Sequence, residues 1–281
     1  MARSSDRTLV NFPLGHLLLV IVAIGAAYAT IIPAMVMDWY HDENYSHGFL
    51  VPLISGYFLY ARWPELKRVR LQPSNAGLVV ILVSLLLLVL GFVGREFFTM
   101  RVSLVVLLAG LILFWCGRDL LRLTALPVGF LLFMVPIPYI VYDAMAFPLK
   151  LLVAEYSVLA LKVMGITVLR EGNIIMFPQT VLEVADACSG LRSLMSLLTL
   201  AVAVAFVFQK SMVKRLVLIV SALPIAIVTN MFRVIATGVL AQYYGAAAAK
   251  GFFHEFAGLA VFVLAMALLL LESALLRRWH R

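Results

Sequence analysis

Leu78-Val79-Val80-Ile81-Leu82-Val83-Ser84-Leu85-Leu86-Leu87-Leu88-Val89-Leu90-Gly91-Phe92-Val93 contains no charged side chain. Such a run approaches the roughly 20 residues that a helix needs to cross about 30 Å of hydrocarbon. Working outward from it, further apolar runs cover 14–36, 48–61, 102–116, 123–140, 191–208, 216–240 and 256–276. Together they predict about eight transmembrane helices within a single domain filling 1–281. Pro127, Pro136 and Pro138 predict kinks or an early end in the run 123–140.

Composition points the same way. The chain is 64% hydrophobic and 13% charged over 281 residues, whereas soluble domains are about a quarter charged. The expected fold class is an all-α polytopic membrane protein. A formal charge of +8 suggests nucleic acid only where a folded soluble face concentrates it. Here the basic residues lie between apolar segments, so the expected partner is the lipid bilayer and not nucleic acid.

Lys and Arg accumulate on cytoplasmic loops. Placing both termini inside puts Arg62, Lys67, Arg68, Arg70, Arg118, Arg122, Lys210, Lys214, Arg215, Arg277 and Arg278 in the cytoplasm. Arg95, Arg101, Lys150, Lys162, Arg170 and Lys250 then fall outside. The first span is expected to be retained, because no cleavage-site pattern follows it.

The region 141–187 is expected outside the membrane. Its first part is apolar enough to be mistaken for a further span, but Asp143, Lys150, Glu155 and Lys162 recur too often for comfortable burial in lipid. It reads as one or two helices at the outer interface or against the bundle. From Thr167 to Val184 the pattern becomes short β-favouring runs separated by Gly172-Asn173 and Pro178-Gln179. An open sheet edge cannot face hydrocarbon, so these strands predict a small extracytoplasmic cap.

That cap leads into Asp186-Ala187-Cys188-Ser189-Gly190-Leu191-Arg192-Ser193, where a thiol stands at the start of a helix. A helix N-terminus or a nearby cation lowers a thiol's pKa and makes it a nucleophile. Ser189 or Asp186 suits the cap position, and Arg192 shares the face of Cys188 one turn on. A small buried residue is the commoner fate of a free cysteine. The other cysteine, Cys116 in Phe114-Trp115-Cys116-Gly117, has no comparable polar setting.

Two polar residues later in the chain belong to the same outer face in this topology. Arg233 follows Asn230 by three residues inside an apolar stretch, where an arginine marks a functional site by default or snorkels to headgroups. His254 opens the last span and suits either proton transfer or an interfacial position. The pair His254-Glu255 lacks the second histidine of a zinc protease helix. No metal or organic-cofactor site is legible.

The chain resembles the exosortases, bacterial members of the exosortase and archaeosortase family of multi-spanning cysteine transpeptidases. The resemblance rests on Tyr45-Ser46-His47-Gly48-Phe49-Leu50-Val51-Pro52, Phe133-Met134-Val135-Pro136-Ile137-Pro138, Arg170-Glu171-Gly172-Asn173, Ala187 through Ser193, Asn230 through Arg233, and His254 through Gly258. It implies Cys188, Arg233 and His254 as the catalytic set, with Arg192, Asn230 and Ser189 in support. It further implies a bacterial inner-membrane setting and substrates with a C-terminal sorting signal, a Pro-Glu-Pro-like motif (PEP-CTERM-like) followed by an apolar helix and a basic tail. Cleavage through a thioester, transfer to an unidentified acceptor nucleophile, and a link to exopolysaccharide and biofilm systems complete that expectation. The rival expectation is a transporter or flippase for an exopolysaccharide precursor, which would carry paired charges near the membrane midplane.

Overall fold

The computed structural model describes residues 14–178, 181–184, 190–244 and 252–279. Its elements are helical apart from three short strands, and they fall into two compact units, Met1–Ile137 and Pro138–Arg281. Five helices are long and apolar enough to cross a membrane: α5 (Ala76–Gly94), α6 (Phe97–Trp115), α8 (Tyr139–Val163), α10 (Met212–Tyr244) and α11 (Phe252–Arg278). A sixth candidate is the pair α1 (Leu14–Ala27) and α2 (Ile31–His41), bent by 60°. The chain is a multi-pass, mostly helical membrane protein of the all-α class.

Unit 1 departs from the expected spans in four places, each with a local cause. The run 14–36 is broken because Pro33 lacks the N–H that would bond to Ala29, and its ring crowds that carbonyl. Within 48–61, a 3-10 turn (Ser46–Phe49) precedes α3 (Leu50–Ala61), whose 12 residues rise only about 18 Å. A short helix, α4 (Trp63–Leu66), follows. The run 123–140 also ends early. Here α7 (Arg118–Phe130) passes into a 3-10 turn (Leu131–Met134) and then into the extended Val135, as the prolines of that run foretell.

The fourth departure concerns α6, which starts at Phe97 instead of about 102. The Glu96 carboxylate caps it, accepting from the N–H groups of Phe98 at 3.0 Å and Thr99 at 2.6 Å. Arg101, expected in a loop, is thereby drawn inside the helix and is 5% exposed. Its Nη2 donates to Asp38 of α2 at 2.5 Å, which compensates the buried charge. Small residues let α5 and α6 approach closely: a Cβ on Gly77 would stand 2.2 Å from the Phe114 backbone nitrogen.

The proline-broken segment leaves backbone carbonyls that the helix no longer satisfies, and in a membrane protein these need partners. Unit 1 supplies three from far upstream. Trp39 Nε1 donates to the Met134 carbonyl at 2.8 Å, and Tyr45 Oη donates to that of Ile137 at 3.0 Å. His47 Nε2 lies 3.2 Å from the Phe133 carbonyl. Gly48 is required there because a Cβ would fall 2.5 Å from the Trp39 indole nitrogen. The motif 45–52 therefore serves to fasten 133–137.

In unit 2 the region after residue 141 forms a helix packed against the bundle. This helix, α8, has 25 residues and is long and apolar enough to span a membrane. Three of its four charged side chains are paired: Lys150 Nζ lies 3.8 Å from Asp143, and Arg170 Nη2 lies 3.4 Å from Glu155. Ala146, near the start of α8, packs in the cluster that holds Leu218, Ala222 and Ala226 of α10. Val153, Val158 and Leu161 pack in the cluster with Val234 and Ala241. Thus α8 and α10 run in the same direction.

Between α8 and α9 (Gly190–Phe208) stand β1 (Leu169–Glu171), β2 (Ile174–Met176) and β3 (Val181–Glu183), an antiparallel sheet in that order. Its turn at Gly172 has φ 61, which suits a residue without Cβ. Ile175 pairs in register with Leu182. Both are buried with Phe177 and Val184 against the late part of α8 and the Val234–Ala241 part of α10. The sheet therefore seals one end of the α8–α10 pair.

Candidate functional site

Helix register brings the expected site residue Arg233 against the first part of α11. Gln209 Nε2 donates to the Ser273 carbonyl at 2.7 Å, and Lys214 Nζ donates to the Leu276 carbonyl at 2.6 Å, so the start of α10 lies beside the end of α11. Farther along, Ser221 Oγ donates to Glu272 at 2.5 Å. The two helices are antiparallel, and the same register carried onward sets Arg233 beside Gly258.

That juxtaposition is observed. A Cβ built on Gly258 would stand 3.3 Å from Arg233 Nη2 and 3.5 Å from Cζ. Arg233 is 4% exposed, and Asn230, one turn earlier on α10, is buried at 8%. The late position of Arg233 in its helix suggested snorkelling, whereas its guanidinium is packed against a neighbouring helix. His254 lies in the first turn of α11, one turn before Gly258 and on the same helical face by spacing. Arg192 lies in the first turn of α9.

Cys188 and Ser189 lie outside the described residues, but the chain on both sides is anchored. Val184 is 1% exposed, and its N–H donates to the Asn173 carbonyl at 2.8 Å. Two residues beyond Cys188, α9 begins at Gly190, within about 7 Å of extended chain.

Helix lengths set the axial level of these positions. Arg233 lies 18 residues beyond Arg215, about 27 Å along α10. Gly258 lies 19 residues before Arg277, about 28 Å along α11. Gly190 precedes Phe208 by 18 residues, again about 27 Å. All three rises are close to the roughly 30 Å of a hydrocarbon core.

Cys116 provides the contrast. It follows α6 as its C-cap, and burial pushes its thiol pKa up, which suppresses the thiolate. Among the described residues, no group of three or more His, Cys, Asp or Glu side chains is placed to hold a metal ion. The site feature that sequence reasoning missed is Gly258: its motif was noted, but its contact with a residue 25 positions upstream appears only once α10 and α11 are paired.

Long apolar helices with a sheet-sealed end, and a buried arginine against the opening turns of the last helix, define a polytopic membrane protein with a polar site near one helix end. A family model described as transmembrane exosortase (Exosortase_EpsH) matches residues 39–271. The chain belongs to the transmembrane exosortase family. No curated protein and no solved structure matches it.

Proposed function

We propose that this protein is a cysteine transpeptidase that cleaves the C-terminal sorting signal of exported proteins, with Cys188 as nucleophile and Arg233 and His254 completing the site. The observation that carries this reading is the packing of the Arg233 guanidinium on Gly258, one turn from His254. It supports a cation and a proton carrier at one level of the bundle. Family membership supports a sorting role in the membrane, and substrates with a Pro-Glu-Pro-like motif, an apolar helix and a basic tail suit such a site.

In the proposed chemistry, Cys188 Sγ attacks the scissile carbonyl carbon. The carbonyl π electrons move to oxygen, where the Arg233 guanidinium stabilises the oxyanion. Collapse breaks the C–N bond, His254 donates a proton to the leaving amine, and a thioester remains. An acceptor amine or water then attacks the thioester, His254 removes its proton, and the thiolate departs. Arg192 favours the thiolate through its charge, Asn230 holds Arg233, and Ser189 caps α9. The reaction calls for no cofactor.

The topology that fits has both termini in the cytoplasm and the site at the outer face of the inner membrane. Residue 139 then lies inside. Counting Ser46–Leu66, the 3-10 turn with α3 and α4, as the second crossing, the fifth is α8 instead of 123–140, which leaves the parity of every later span unchanged. Lys210, Lys214, Arg215, Arg277 and Arg278 stay cytoplasmic, as the positive-inside rule requires. A transporter is disfavoured because Arg233 lies about 27 Å along α10 from Arg215, near the level where a crossing ends and away from the membrane midplane.

The test is co-expression with an exported protein bearing such a signal, comparing its processing by the wild type and by Cys188→Ala, Arg233→Ala and His254→Ala. Processing is expected to stop in the cysteine variant and to fall at least about a hundredfold in the other two. Full processing by a membrane-inserted Cys188→Ala protein would refute the enzyme reading.

A further inference from the structure

The end of unit 2 opposite Arg233 carries a second organised cluster. Lys210, Lys214 and Arg215 lie in and just after the turn from α9 to α10, and Arg277 and Arg278 close α11. This turn is fastened in place. Gln209 is 3% exposed and donates from Nε2 to both the carbonyl and Oγ of Ser273, at 2.7 and 2.9 Å. Arg215 Nε donates to the Gln209 carbonyl at 2.9 Å, and its guanidinium lies 4.5 Å from the centroid of the Phe206 ring. Lys214 reaches the Leu276 carbonyl at 2.6 Å, joining α10 to α11.

Charge is concentrated there with little to offset it. The acid nearest in sequence, Glu272, accepts from Ser221 on α10. Beside the cations, Met212, Val213, Leu216 and Trp279 are exposed. A preformed set of cations bordered by exposed apolar side chains suits a ligand that is anionic at one end and apolar at the other. Inorganic phosphate would use the charges and leave the apolar border bare.

We propose that this basic end of α9–α11 is a binding site for the phosphodiester headgroup of an anionic phospholipid. The phosphate accepts charge-assisted hydrogen bonds from the lysine and arginine side chains. The acyl chains lie along Met212, Val213 and Leu216, with Trp279 at headgroup level. This site is independent of the proposed cysteine chemistry and stands or falls separately from it.

The full-length protein in detergent is given equal amounts of phosphatidylglycerol and phosphatidylcholine, and the retained lipid is counted by native mass spectrometry. Phosphatidylglycerol is expected to be preferred. The preference should fall by about fivefold for each cation removed across Lys210→Gln, Arg277→Gln and Arg278→Gln, exposed positions whose loss leaves the Lys214 and Arg215 contacts intact. Lys214→Gln is expected to weaken it further. Equal retention of the two lipids, or an undiminished preference in the triple variant, overturns the proposal. Displacement of phosphatidylglycerol by an equal concentration of inorganic phosphate assigns the cations to a free anion and overturns it too.

Discussion

Arg233 of α10 rests on Gly258 of α11 so closely that a Cβ at residue 258 would lie 3.3 Å from its Nη2. A methyl there is tighter than ordinary van der Waals contact, so the guanidinium has to shift by a few tenths of an ångström. Alanine also favours helix over glycine by about 0.5–1 kcal/mol. Gly258→Ala is therefore expected to leave thermal stability unchanged or raised while substrate processing slows several-fold. Gly258→Val should slow it by about a hundredfold, the scale of a 1 Å misplacement. Unfolding and processing measured on the same preparations check this; wild-type processing in both variants refutes a role for the contact.

The two cysteines should separate in reactivity. Burial raises the Cys116 thiol pKa, so its thiolate fraction near neutrality is smaller than that of a free thiol. Alkylation of the Cys188→Ala protein is expected to be slow near pH 7 and to accelerate steadily as pH rises. The Cys116→Ser protein should label faster near pH 7 and retain processing. If Cys116 proves the faster thiol, Cys188 is not activated and the nucleophile assignment fails.

His47 should make unit 1 sensitive to acid. It is 7% exposed, and burial holds its pKa below the usual value against opposing hydrogen bonds at the Phe133 and Asn44 backbones. An unfolded histidine takes up a proton below about pH 6.5, whereas the buried one resists. The stability tied to neutral His47 is thus complete above that pH and is lost progressively as pH falls through it. His47→Asn is expected to be less stable than wild type near pH 8, by about 1–2 kcal/mol for the lost buried contact. The gap should narrow toward about pH 5.5. Thermal unfolding at the two pH values tests this, and a gap that does not change with pH rules out titration of His47.

The helix Ala76–Gly94 was legible because its apolar run is unbroken, and Arg233 because charge is rare in such runs. The three strands were legible from β-favouring residues between turn pairs. Spans built on short runs were not, because what fastens them lies far away. The carbonyls of Phe133, Met134 and Ile137 find donors 86, 95 and 92 residues upstream. The continuous helix Tyr139–Val163 was hard to read for the same reason. Its linear charge density suggested an interface, yet Glu155 meets Arg170 15 residues away in the folded chain, and Asp143 meets Lys150 two turns along.

That helix carries the last prediction, because its two ends should lie on opposite sides of the membrane. Tyr139 and Met164, at 75% and 58% exposure, tolerate replacement by cysteine. In a Cys116→Ser, Cys188→Ser background, Met164→Cys is expected to react with a membrane-impermeant maleimide applied to intact spheroplasts. Tyr139→Cys should react only after permeabilisation. The separation follows from about 37 Å of rise over the 25 residues of Tyr139–Val163, against roughly 30 Å of hydrocarbon. Labelling of both positions from outside would instead make it an interfacial helix. Arg215 would then keep its cytoplasmic place only if 123–140 crossed instead, a segment whose helix ends at Phe130 and whose carbonyls are occupied by Trp39 and Tyr45.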